Sequence, residues 1–204
     1  HGTPSGRHGA SGWYSCQTYK HVNSGEGGFL VTDDPHLAAK AVRLSGSYML
    51  YERHLAAPPK EAFDDIKYHT PNISGRMDNL RAAILRPQVA DLATQCQRWN
   101  DRYYALEEGL RDTPGLTVID RPEAETIVGS SFQFLLLDWA ASAVRDVVAK
   151  CASRGVELKW FGAAEPVAFT SRYDSWRYAP SKPMAASDRV LAGIVDLRVP
   201  LTFS

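Results

Sequence analysis

The sequence has little that would staple, anchor or charge it. Only three cysteines occur in 204 residues, Cys16, Cys96 and Cys151. Their odd number and wide spacing argue against a disulfide framework and fit a reducing compartment. No apolar run approaches the roughly 20 residues of a membrane-spanning helix; Phe132 to Leu137 is among the longest. No charged-then-apolar leader opens the chain. A cytoplasmic protein without a membrane partner is therefore expected. Excess charge of either sign is missing too, since 23 basic residues balance 23 acidic ones. Without a basic stripe, nucleic-acid binding has no electrostatic support. The six histidines (1, 8, 21, 36, 54 and 69) show neither a His-x-x-x-His pair nor a cysteine at metal spacing, so no metal site is expected. Internal repeats and low-complexity tracts are also absent.

What is present is the composition of a folded domain, 44% hydrophobic and 23% charged, enough for a core and a solvated surface. Its length suits one large domain or two small ones. Both ends read as cut: His1 to Gly6 is loop-like, and the chain stops at Ser204 just after a strand-like Arg198 to Leu201, with Thr202 or Ser204 as a helix N-cap. The stretch around which the rest is arranged runs from Ser15 to Gly28. A hydroxyl at Ser15 and an amine at Lys20 stand five residues apart, followed by a turn with glycines at 25, 27 and 28 and an apolar run, Phe29 to Thr32, that reads as a buried strand. Glycines allow close backbone approach to a ligand, and turn N–H groups with a hydroxyl form an anion cradle. A lysine between such turns can serve as a nucleophilic amine. A surface lysine beside a hairpin is the other reading of this pattern.

Along the chain, Trp13 to Cys16 reads as a short strand. Asp33-Asp34-Pro35 signals a helix start, with Leu37, Ala38, Ala41, Val42 and Leu44 on one face and an end near Ser45-Gly46. Ser47 to Pro71 is irregular, with Tyr48, Tyr51, His54, Tyr68 and His69 spread through it, and has the character of a functional loop or subunit contact. Apolar residues from Leu80 to Leu110 recur at intervals of three and four, with a kink or a break expected near Arg86 because Pro87 follows. The remainder reads as strands Leu116–Ile119 and Ser131–Leu137, helix Ser142–Ser153, strand Val156–Phe161, helix Ser187–Ile194 and strand Val195–Leu201. Val144, Val147, Val148 and Cys151 form the buried face of the first of those helices, with Gly155 as its C-cap. Phe169 to Tyr178 is an aromatic loop.

Two segments together resemble the DegT-type aminotransferases, pyridoxal-phosphate enzymes that aminate keto groups on nucleotide sugars. Ser15-x-x-x-x-Lys20 with Gly25-Glu26-Gly27-Gly28 and Val31-Thr32-Asp33 is similar to the family's lysine motif. Arg76-Met77-Asp78-Asn79-Leu80-Arg81-Ala82-Ala83 is similar to its R-x-D-x-L-Q-A-A segment, Gly6 to Gly12 to its approach to the lysine, and Arg154-Gly155-Val156 to its C-terminal domain. The resemblance implies an α/β chain forming the C-terminal part of a fold-type-I transferase. Residues 1–95 would be the end of the large cofactor domain with the dimer-contact loop, and 96–204 a linker helix and small α+β domain.

It further implies pyridoxal 5′-phosphate as cofactor, with Lys20 forming the Schiff base and then moving protons, and Ser15 bonding the cofactor phosphate. Relatives that dehydrate the sugar carry His where Lys20 stands, so amino transfer is expected, from an amino-acid donor such as glutamate. The family's asparagine two residues before the arginine, which reaches the neighbouring subunit's phosphate in a homodimer, is replaced here by Ser74. Asn72, four before Arg76, is the candidate for that contact, with a turn asparagine after Pro71 as its alternative.

The aspartate that binds the pyridine nitrogen, the stacking aromatic and the phosphate-binding helix N-terminus would precede His1. A truncated chain or a second polypeptide supplying them is therefore expected. The loop after Val156, with Phe169, Arg172, Tyr173, Trp176, Arg177 and Tyr178, suits a sugar nucleotide, a carboxylate substrate or an interface. Two alternatives stay open: the same chemistry on a non-sugar keto compound, and a cofactor-free scaffolding relative.

Overall fold

The computed structural model describes residues 2–46, 53–167 and 172–202. The expectations placed on Ser47, Tyr48, Tyr51, Phe169 and Ser204 lie outside the described residues. The chain divides into two compact units, His1–Leu92 and Ala93–Ser204.

In the first unit, β1 (Gly12–Ser15) and β2 (Gly28–Val31) form an antiparallel hairpin in which Trp13 opposes Leu30 and Ser15 opposes Gly28. Helix α1 (Pro35–Ser45) starts as its sequence signals. The Asp34 carboxylate accepts from the amides of His36 at 2.8 Å and Leu37 at 3.2 Å, while Pro35 needs no partner at the first position. It stops at Gly46, whose φ of +108° a Cβ would oppose. A 3-10 turn (Lys60–Phe63) and the single turn α2 (Ile66–His69) pack Phe63 and Ile66 against Ala39 to make this unit's small core. Helix α3 (Asn79–Ala90) follows.

Three expectations change here. The buried positions of α1 are Ala39 and Arg43, whereas Leu37, Ala38, Ala41, Val42 and Leu44 are only half-buried. The burying partner is the 60–69 segment, and its side of the helix was invisible to periodicity. Arg43, 8% exposed, is tolerated there because its Nη2 donates to the carbonyls of Lys67 at 3.2 Å and Thr70 at 3.4 Å. Strand β2 is not buried: Phe29 and Val31 are exposed, since a two-stranded hairpin has no second layer of its own in this unit. Pro87, expected to kink or break the helix near Arg86, does not break it. It lies inside α3, and the interruption comes at Asp91, whose amide donates to the Pro87 carbonyl at 3.1 Å.

The second unit begins on the long helix α4 (Leu92–Leu110) and holds a four-stranded antiparallel sheet in the order β3-β4-β6-β5. Its strands are β3 (Thr117–Val118), β4 (Ser131–Leu135), β5 (Leu158–Trp160) and β6 (Ile194–Arg198). Helices α5 (Ala141–Ala152) and α6 (Ala185–Gly193) complete it. Strict alternation along β4 sends Phe132 and Phe134 into the core with Val195, Val144 and Tyr103. Tyr103 meets Phe132 edge-on at 5.1 Å, and Gly129 is required beneath it because a Cβ there would stand 2.4 Å from that of Tyr103. The buried Asp196 carboxylate accepts from the Ser131 hydroxyl. Val144 is the fully buried residue of the expected α5 face, with Val147, Val148 and Cys151 half-buried. The cap of α5 is Ser153, and Gly155 turns left-handed two residues beyond, at φ +80°. Elsewhere the strands of this unit end one to three residues short of the expected ends, and β6 starts one residue earlier, at Ile194.

Phe132→Ala, at a fully buried position, is expected to cost about 3–5 kcal/mol. The drop in the urea midpoint, with an unchanged denaturant slope, measures it.

Candidate functional site

The lysine-bearing turn is built from peptide hydrogen bonds that close the hairpin and then leave it. The Cys16 amide donates to the Gly27 carbonyl at 2.8 Å, that of Thr18 to Gly25 at 2.9 Å, and that of Ser24 to Cys16 at 3.1 Å. Gly25 and Gly27 take φ of +88° and +125°, open to glycine and costly for other residues. Inside this frame Gln17 joins the two expected residues: its amide donates to Ser15 Oγ at 3.3 Å, and its carbonyl accepts from the Lys20 amide at 2.9 Å. Asn23 Nδ2 donates to the Lys20 carbonyl at 3.2 Å. Both peptide groups of Lys20 are thus held, while its ammonium is exposed and makes no hydrogen bond or ion pair among the described residues.

Helix α3 grips this turn from the side. Gln88 Oε1 accepts from the Asn23 amide at 3.0 Å, and its Nε2 donates to the Asn23 carbonyl at 2.8 Å and to the Ile84 carbonyl at 2.9 Å. Met77 Cε lies where a Cβ on Gly27 would stand 2.7 Å away, so the start of α3 also covers the glycine turn. Gln88 escaped sequence reasoning because a kink or a break was expected near Arg86, two residues before it. A glutamine on the turn-facing side of an unbroken α3 was the signal that could have found it.

Asn72 lies on a separate strap. The amides of Ile73 and Arg76 donate to the carbonyls of Leu44 at 3.0 Å and Ser45 at 3.1 Å, and Arg76 Nη1 to that of Gly46 at 2.7 Å. The strap therefore satisfies the carbonyls that the end of α1 leaves open. Arg76, one of the segment's motif residues, has this capping role. Asn72 Oδ1 accepts from the Ser74 amide at 2.8 Å, an Asx turn that accommodates the φ of +53° at Ser74. No hydrogen bond joins Asn72 to Ser15 or Lys20. The structure thus brings Ser15 and Lys20 together around Gln17 and leaves Asn72 apart.

The donor set can be tested against an anionic aldehyde. Ser15 accepts through Oγ and keeps its hydroxyl proton to give, Asn72 keeps its amide NH₂, and Lys20 presents a free amine. All three offer donors or a nucleophile, and none presents a carboxylate. Pyridoxal phosphate, an aldehyde bearing a phosphate, fits that chemistry. Among the described residues no cluster of three or more His, Cys, Asp or Glu could hold a metal ion, and no helix is long and apolar enough to cross a membrane. Burial pushes the Cys16 thiol up, which keeps the thiol beside Ser15 protonated and inert.

The DegT/DnrJ/EryC1/StrS aminotransferase family profile matches residues 1–202. Among solved structures, the aminotransferase TlmJ from Streptoalloteichus hindustanus superposes with a TM-score of 0.74 at 18% identity, over 100% of this chain and 50% of that one. DesI, solved with its TDP-sugar product, gives 0.68 at 23%, over 100% and 48%. The E. coli GDP-4-keto-6-deoxy-D-mannose-3-dehydratase with bound hydrated PLP gives 0.68 at 14%, over 97% and 52%. No match was found among the curated proteins. The chain therefore spans about half the length of the solved structures it matches, and its fold is that of the C-terminal part of a fold-type-I transferase.

Asp78 caps α3 by accepting from the Arg81 amide at 2.8 Å, and that bond, assisted by the Arg81 guanidinium, holds its carboxyl below the usual range. A depressed folded value stabilises at pH above the unfolded one, about 3.9. The contribution is lost as pH falls through the folded value. Asp78→Ala is expected to lower the urea midpoint at pH 7, with a gap to the native protein that narrows progressively below about pH 4. A pH series of unfolding curves on both proteins reads this.

Proposed function

The chain belongs to the DegT/DnrJ/EryC1/StrS aminotransferase family, and from that premise we propose that it is the lysine-bearing part of a pyridoxal-phosphate-dependent aminotransferase. The reaction moves an amino group from an amino-acid donor, glutamate in the first instance, to a keto group on a nucleotide-linked sugar. The observation that carries this reading is Lys20: an exposed, unpaired amine whose peptide N–H and C=O are both hydrogen-bonded, in a turn beside a hydroxyl. The sugar-nucleotide assignment is supported by the likeness to DesI with its TDP-sugar product.

Lys20 Nζ would hold the cofactor covalently, the Ser15 hydroxyl would donate to its phosphate, and Asn72 NH₂ would donate to a phosphate from its strap. When bound, pyridoxal phosphate supplies an electron-withdrawing ring that delocalises the charge left by removing a proton. The chain's own work is proton traffic. Once released, Lys20 Nζ takes the proton from the donor's α-carbon, and on the return half-reaction it delivers one to the carbon that bore the keto oxygen. A fixed backbone with a mobile four-carbon side chain suits an amine that must serve two positions in turn. Lysine at position 20, where dehydrating relatives carry histidine, favours amino transfer over dehydration.

A homodimer in the cytoplasm completes the proposal. Exposed Ile73, Leu80 and Ile84 at and near the start of α3 support a protein contact there, and three free thiols suit reducing surroundings.

Adding pyridoxal phosphate to the full-length protein should give a near-visible absorbance band that is missing in Lys20→Ala. With glutamate and a keto-sugar nucleotide, that substitution should reduce turnover by more than about a thousand-fold. A band that survives the loss of Lys20 would overturn the assignment, and turnover only with simple keto acids would overturn the sugar substrate.

A further inference from the structure

We propose that Gln88 is a positioning residue for Lys20, acting through Asn23. The inference rests on the reading of Lys20 as the reacting amine. Its physical basis is a relay of four hydrogen bonds from helix to lysine. Gln88 Nε2 is tied to its own helix at the Ile84 carbonyl, 2.9 Å away, which orients the amide plane. The same amide then pairs with both peptide groups of Asn23, accepting at 3.0 Å and donating at 2.8 Å, as a neighbouring strand would. Asn23 in turn spends its side-chain Nδ2 on the Lys20 carbonyl at 3.2 Å.

The arrangement has a chemical purpose that packing alone does not explain. The turn between Cys16 and Gly25 is irregular, so its peptide groups cannot be satisfied by a regular ladder. No residue from 17 to 22 belongs to this unit's core cluster of Ala39, Phe63 and Ile66. By accepting from the N–H and donating to the C=O, the Gln88 amide restrains the two successive peptide groups that flank the Asn23 Cα, and so Asn23 itself. The Lys20 carbonyl, linked to it, inherits the constraint. A nucleophilic amine gains from such restraint because misplacing the reacting atom by about 1 Å can cost on the order of a hundred-fold in rate. Gln88 never touches the reacting atoms, and its effect passes wholly through Asn23.

The test uses Gln88→Met in the full-length protein, a nearly isosteric change of similar helix propensity that removes the paired bonds. Hydrogen exchange at the amides of Thr18, Lys20, Asn23 and Ser24 should accelerate about five- to thirty-fold, as expected for losing one or two net hydrogen bonds. Exchange at Ala82, near the start of α3, should not change. Borohydride-fixed pyridoxal phosphate at Lys20, scored by peptide mass against the exposed Lys40 in the same molecule, should need a correspondingly higher concentration. Adding Asn23→Ala to Gln88→Met should produce little further loss at Lys20, because both act on one relay.

Unchanged exchange and labelling at Lys20 would overturn the proposal, and so would acceleration spread equally through α3. If the native protein fixes no cofactor at Lys20, the aminotransferase reading fails instead. The exchange pattern then still decides whether Gln88 holds the turn.

Discussion

The first unit depends on how an irregular turn satisfies its peptide groups. Between Cys16 and Gly27 the backbone leaves the hairpin ladder, and every amide that loses water must find an acceptor there. The solution is local at Gln17 and at the glycine carbonyls, and long-range at Gln88, whose amide stands in for a missing strand. The turn thereby becomes rigid in the backbone while the Lys20 amine stays free. Within Lys20 the peptide groups are hydrogen-bonded and the amine, four carbons away, is not.

The same economy appears at the end of α1. A helix end leaves carbonyls unsatisfied, and here the strap from Ile73 to Arg76 answers those of Leu44, Ser45 and Gly46 in order. Gly46 is favoured by its φ of +108°, and a Cβ there would also stand close, at 3.1 Å, to the Arg76 guanidinium and Asn72 Oδ1. The strap leads directly into Met77 over Gly27 and the Asp78 cap of α3, so the single run Ile73 to Asp78 links a helix end, the lysine turn and a helix start. Asn72 is consequently held by its own Asx turn, and its remaining amide donors are what it can offer a ligand.

Much of this was legible along the chain, and where it was not the reason is physical. Asp34-Pro35 and Gly46 mark α1 because capping chemistry is local, and Ser131 to Leu135 reads as a strand because alternation survives in any half-buried sheet. The two fully buried positions of α1, Ala39 and Arg43, were not singled out because the segment that covers them, residues 60–69, lies apart in sequence. The exposure of Phe29 and Val31 was missed for the converse reason: apolar residues predict burial only when a second layer exists to receive them. The rule for proline led to a kink or a break being expected near Arg86, whereas α3 continues through Pro87 to Ala90.

Residue identities and their spacing determined the family. A hydroxyl, an amine and a glycine turn at set intervals, followed by the Arg76 segment, are linear information. Tertiary structure alone decided which groups hold the lysine in place. Gln88 and Asn23 are 65 residues apart, and nothing in either neighbourhood signals the other. Hydrogen bonds between distant peptide and amide groups depend on where α3 runs past the turn. That course is set by a strap, a cap and a proline taken into a helix, none of which can be read from one position at a time.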